Sequence, residues 1–188
     1  VRKKITLWLV LIMAAGLLVM GCGQSKTKVE VKTPEEAARM EGDPVQNLII
    51  KEREWLGRLD AEHAKIGSLF SAWQQGQATR EDFMQQLTKS KRVVRGLIKE
   101  YDLHMEVNSF PEDKKNQAVY QEGLAYGDKL RTAVNNFIFM ATEGVMDAET
   151  KQLKPLTDEQ VKELYQKYMV EKYEDYKAKL TAVLEKNK

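Results

Sequence analysis

Glu52, His63 and His104 are the side chains with types and positions suited to acid–base or metal chemistry. The chain has only two histidines, and imidazole is both the commonest metal ligand and the side chain that titrates nearest neutrality. In a helical bundle the natural use of such groups is a di-iron carboxylate centre. That centre takes a glutamate from each of two helices and Glu-x-x-His from the other two. The spacing is missing here: Asp60 stands three before His63, and Tyr101 three before His104. Folding the chain back at Gly76 sets His63 opposite about residue 89, so His104 falls roughly 20 Å further along at 1.5 Å per residue. Metal–nitrogen bonds of ~2 Å cannot join two imidazoles that far apart. The same fold-back brings His104 beside residues 48–52, so a Glu52–His104 hydrogen bond is expected. It reads as a polar pair that sets helix register, as a small-ligand or metal-binding site near Glu52 and His104, or as two groups that simply face water. His63 reads as a satisfied core or boundary histidine.

Other chemistry finds no footing. Cys-x-x-Cys-His is absent, which excludes covalent c-type haem. The glycines are scattered with no Gly-Lys-Ser/Thr to cradle a phosphate. The serines at 25, 68, 71, 90 and 109 have no histidine–carboxylate setting in sequence. Tyr165, Tyr168, Tyr173 and Tyr176 offer rings that stack on sugars, or form the boundary stripe of a helix. The expectation is a protein that is not an enzyme, with no cofactor and no bound metal.

The elements that must position these groups are helices. Thr33-Pro34-Glu35-Glu36 is a capping box with proline at the first helical position, and Gly42 ends the short helix it opens. Asp43-Pro44 starts a long helix over about 44–75. Its seam, Val45, Ile49, Glu52, Leu56, Leu59, His63, Ile66, Phe70 and Trp73, steps by fours and threes. Thr79-Arg80-Glu81-Asp82 starts a second helix. Ser109 and Glu112 predict the cap of a third over about 111–144, where Gly123 and Gly127, four apart, suggest close helix approach. Thr157-Asp158-Glu159-Gln160 caps a fourth over about 158–186, with a thinner stripe and the loosest hold. Residues 144–157 read as a loop, and no strand-like alternation is found. Four helices of similar length with short connections predict an all-α, antiparallel up-down-up-down four-helix bundle following a signal peptide and flexible tether.

The N-terminal stretch sets the address. Arg2, Lys3 and Lys4 precede the apolar run Ile5–Met20, the charged and hydrophobic regions of an export signal. The run is shorter than the ~20 residues that span a bilayer. Val19, Met20 and Gly21 before Cys22 resemble the lipobox of bacterial lipoprotein precursors. That resemblance, confined to residues 1–23, implies cleavage between Gly21 and Cys22 and diacylglycerol (palmitate-type) lipidation of the Cys22 sulfur. Two or three acyl chains then hold the protein on the outer side of a bacterial membrane, the cell membrane or an outer membrane. The expected domains are the signal peptide at 1–21, the lipidated cysteine, tether and short helix at 22–42, and the helical bundle at 43–188.

Charge and cysteine content narrow the partners. The chain carries 30 basic and 28 acidic residues. Without the three cations of the leader it is close to neutral, which does not predict nucleic-acid binding. Cys22 is the only cysteine, so no disulfide forms within the chain. The expected function is that of a non-enzymatic, lipid-anchored interaction or scaffold module of the envelope, with an envelope protein or cell-wall component as partner. Its far tip, with Asp147, Glu149, Lys151 and Lys154, is the expected contact surface.

Overall fold

Residues 33–187 are described in the computed structural model. The lipobox, Gly21, Cys22, the boundary after residue 21 and the tether to Lys32 lie outside the described residues. Within them the protein is all-α apart from one small hairpin. No helix among the described residues is long and apolar enough to cross a membrane.

Helix starts follow local chemistry closely. Thr33 caps α1 (Pro34–Ala38), Glu36 returning the bond to the Thr33 amide. Asp43 caps α2 (Pro44–Gln74) by accepting from the Val45 and Gln46 amides. Thr79 and Asp82 form a capping box on α3 (Arg80–Val107), and Thr157 and Gln160 form one on α5 (Asp158–Tyr165). Each satisfies amides that the first helical turn leaves unpaired.

The third start departs from expectation. Ser109 caps nothing, and Pro111 leads only into a 3-10 turn at Glu112–Lys114 with no side-chain cap. Helical structure resumes as a π turn at Val119–Gly123 and continues as α4 (Leu124–Glu143). Between Phe110 and Val119 no side chain is buried, so nothing offsets the entropy of ordering a helix there.

Residues 144–157 also differ: they form an antiparallel hairpin of β1 (Val145–Met146) and β2 (Leu153–Lys154). Gly144 enters it at φ +93°, and a side-chain carbon there would overlap the Lys154 carbonyl oxygen. Alternation over two residues per strand is too short to read as a period.

The last helical stretch is α5, a π segment at Gln166–Lys172 and α6 (Tyr173–Lys186). A π turn closes on i→i+5 and takes in an extra residue, rotating the face beyond it by roughly 100°. That rotation puts Tyr173 and Leu184 into the core beside Val161, Met169, Leu180 and Val183. The stretch is therefore held more firmly than its thin stripe suggested.

The core runs through α2, α3, the π turn with α4, and the α5–α6 stretch. Ile49, Trp55, Leu59 and Ile66 of α2 join one core with Phe83, Leu87, Val94 and Leu97 of α3, and Leu130, Val134, Phe137 and Ile138 of α4. Polar contacts tie the ends. Arg80 donates to Asp158 at 2.7 Å and to the Leu156 carbonyl. Arg53 donates to the Leu184 carbonyl at 2.8 Å. Asn108 accepts from the Met40 amide and donates to the Ala38 carbonyl, both at 3.0 Å.

Candidate functional site

Glu52 does not meet His104. Its partner is Arg131 of α4, which donates from Nη1 to Oε2 at 3.1 Å and from Nη2 to Oε1 at 3.4 Å. Glu52 is fully buried and Arg131 is 3% exposed. The guanidinium lies over the Tyr101 ring at 3.9 Å and near Trp55 at 5.6 Å, which adds cation–π attraction in a dry setting. Gly127, one turn before Arg131, makes the space: a side-chain carbon there would stand 2.6 Å from Oε2 and 2.8 Å from Oε1. Gly127 of α4 thus admits a carboxylate, while Gly123, in the π turn before it, lies against Val119 and Val183.

Burial pushes the Glu52 carboxyl up from its ordinary value, and the adjacent Arg131 charge opposes that. The Tyr101 hydroxyl is pushed up to about 12, chiefly by burial. A carboxylate forked by a guanidinium and backed by glycine leaves no open face for a substrate or an ion. Its chemistry is to pin α2 against α4.

His104 instead meets Asn108 and Trp55. The Asn108 amide nitrogen lies 3.1 Å from its Nδ1 and donates to the His104 carbonyl at 2.9 Å. The ring meets Trp55 edge-on at 5.4 Å, and Nε2 is buried without a partner. Burial, with help from the Lys51 charge, holds the imidazole below its usual range. His104 also lines a cavity of about 210 Å³ with Lys51, Trp55, Leu103, Pro34 and Ala37.

His63 belongs to another cluster. It stacks on Tyr173 at 3.6 Å with the planes 9° apart, and its Nε2 donates to the Met169 carbonyl at 2.6 Å. Met169 lies in the π segment, where the regular i→i+4 ladder is interrupted. The Tyr173 hydroxyl donates to Asp60, which also takes the Lys177 ammonium at 3.0 Å. Burial first, then the Asp60 contact, pushes the Tyr173 hydroxyl well up. The two histidines share no partner, and no group of three or more His, Cys, Asp or Glu suited to a metal occurs among the described residues.

At the hairpin, Asp147 is committed locally. It accepts from the Thr150 amide at 2.8 Å, the Thr150 hydroxyl at 3.0 Å, the Glu149 amide at 3.1 Å and the Lys154 ammonium at 3.0 Å. The Thr150 amide and Lys154 hold its carboxyl at about 2. Glu149 and Lys151 stand exposed, Lys151 at φ +55°.

Arg131 is the residue that sequence reasoning missed. Its signal was present: it follows Gly127 by four and precedes Val134 by three, a lone cation on the buried row of the most apolar helix. Asp60 and His63, three apart on α2, carried a weaker signal for the second cluster. In comparisons with known proteins, no family model, no curated protein and no solved structure matches this chain.

Proposed function

We propose that this protein is a non-enzymatic, lipid-anchored interaction module of a bacterial envelope. In this reading α2, α3, α4 and the α5–α6 stretch alternate in direction as an up-down-up-down bundle. What supports the alternation is the pairing of ends: Arg80 with Asp158 and Leu156, Arg53 with Leu184, and Asn108 with Met40. Cys22 is lipidated, residues 24–32 form the tether, and the hairpin then stands at the end away from the membrane. Anchoring raises the effective concentration of the hairpin toward a partner in the same envelope.

The observation that carries the contact surface is the apolar face of the hairpin. Met146 and Leu153 are cross-strand partners on one face, and they are 61% and 48% exposed. Val145 is 36% exposed beside them. Asp147 and Lys154 brace the turn that presents them, with Glu149 and Lys151 as its charged rim. The partner is an envelope protein with an apolar patch of its own.

A photo-crosslinker placed at Leu153 in intact cells should capture one protein reproducibly, and the same group at Glu112 should not. Met146→Asp should abolish that capture. Equal capture from both positions would overturn the surface. Recovery of a Cys22→Ser variant in the same lipid-bound fraction as the parent would overturn the anchor.

A further inference from the structure

The tyrosines of the last helical stretch divide into two pairs. Tyr165 stacks on Phe70 at 3.7 Å, and Tyr173 is buried against His63, so both belong to the core. Tyr168 and Tyr176 are half-buried and flank a groove between this stretch and α4. The buried Ala133 forms its floor, with Thr132 and Asn136 beside it and Lys129 and Lys172 at its rims.

The charge of this groove meets no carboxylate among the described residues. The Lys172 ammonium stands 4.6 Å over the Tyr168 ring, with Lys167 at 5.5 Å over the same ring. Lys129 lies 5.6 Å from the Tyr126 ring and 5.9 Å from that of Tyr176. Neighbouring Lys177 and Lys179 pair with Asp60 and Asp175. Lys129, Lys167 and Lys172 form no ion pair with a carboxylate among the described residues. The two ammoniums at its rims, Lys129 and Lys172, with tyrosine rings, a hydroxyl and an amide at hand, can take an anionic group and a flat, weakly polar ring together.

The π segment is the structural cause of this arrangement. It turns Tyr173 into the core while Tyr168 and Lys172 stay at the groove. The groove holds about 90 Å³, the share of roughly three liquid waters. That is room for one oxyanion group, with the body of a ligand lying outside it on the exposed parts of the rings.

We propose that this groove binds an acidic sugar, its carboxylate or phosphate between Lys129 and Lys172 and its ring on Tyr168 and Tyr176. The site lies on the flank of the helices and is independent of the hairpin contact.

The test is a titration of the full-length protein, with ring-labelled tyrosine, by nuclear magnetic resonance at fixed salt. The probes are glucuronate, mannose phosphate, glucose and inorganic phosphate. Both acidic sugars should shift the Tyr168 and Tyr176 ring signals saturably, one acid alone doing so telling carboxylate from phosphate. Glucose and inorganic phosphate should each bind at least about tenfold more weakly, a difference of about 1.4 kcal/mol. Lys172→Gln and Lys129→Gln, both at the surface, should each lower acidic-sugar affinity about tenfold, and Lys115→Gln should not. Phosphate binding as tightly as the sugars, glucose binding as tightly as glucuronate, or no loss in either lysine variant would overturn the proposal.

Discussion

Two polar clusters cross the core of this protein, and they are built in opposite ways. Glu52 and Arg131 join side chain to side chain in full burial, backed by Gly127 and roofed by Tyr101. Asp60, Tyr173 and His63 reach from the surface inward and end on a backbone carbonyl in a π segment. The first needs both charges to exist at all, because an unpaired ion in that place costs several kcal/mol. The second is made of a ring stack, single hydrogen bonds and a half-exposed carboxylate, so each member can be lost separately. A sealed ion pair makes the α2–α4 register all-or-none, whereas the half-open cluster lets the last stretch change helical pitch within a packed core.

Breaking the sealed pair should have the largest effect. Arg131→Met leaves Glu52 charged and unpaired, and chemical denaturation should show a loss of about 3–5 kcal/mol at neutral pH. The loss should depend on acidity. Burial already places the folded Glu52 carboxyl above its ordinary 4.5, and removing Arg131 pushes it higher. A carboxyl raised on folding contributes stability while protonated, and that contribution is lost as pH rises through the folded value. The penalty of Arg131→Met should therefore shrink toward about pH 5. A penalty independent of pH would mean that Glu52 finds water or another cation.

Gly127→Ala tests the same cluster from behind. Its side-chain carbon would fall 2.6 Å from the Glu52 carboxylate, so the pair must shift. Thermal unfolding should report a loss of about 1–3 kcal/mol, the usual range for overpacking. The half-open cluster should respond least. Tyr173→Phe removes one hydrogen bond but keeps the stack on His63, and Asp60 retains Lys177. The expected cost is about 1 kcal/mol. A cost as large as that of Arg131→Met would erase the distinction between the two clusters.

Much of the architecture was legible in local signals. Thr33, Asp43, Thr79 and Thr157 cap helices where their spacing to Glu36, Gln46, Asp82 and Gln160 announced it, because a cap is satisfied within four residues of chain. Ser109 shows the limit: the right letters capped nothing where no apolar residue followed to be buried. Glu52 stood out as a charge on an apolar seam, and the structure gives it a reason. Its partner was misassigned because folding back two helices identifies neighbours across one interface only, while Arg131 arrives from a third helix. The hairpin and the π segment were missed because two-residue strands and one extra residue per turn leave almost no periodic trace.

Sequence alone determined the helical class, the starts of α1, α2, α3 and α5, and most of the inward-facing rows of α2, α3 and α4, because each depends on contacts within one or two turns. Tertiary structure alone decided which charge meets Glu52, which partners His63 and His104 take, and which tyrosines are core and which line a groove. Those outcomes depend on side chains distant in sequence competing for the same space. The choice between them is made by burial, which penalises every polar group that arrives without a partner.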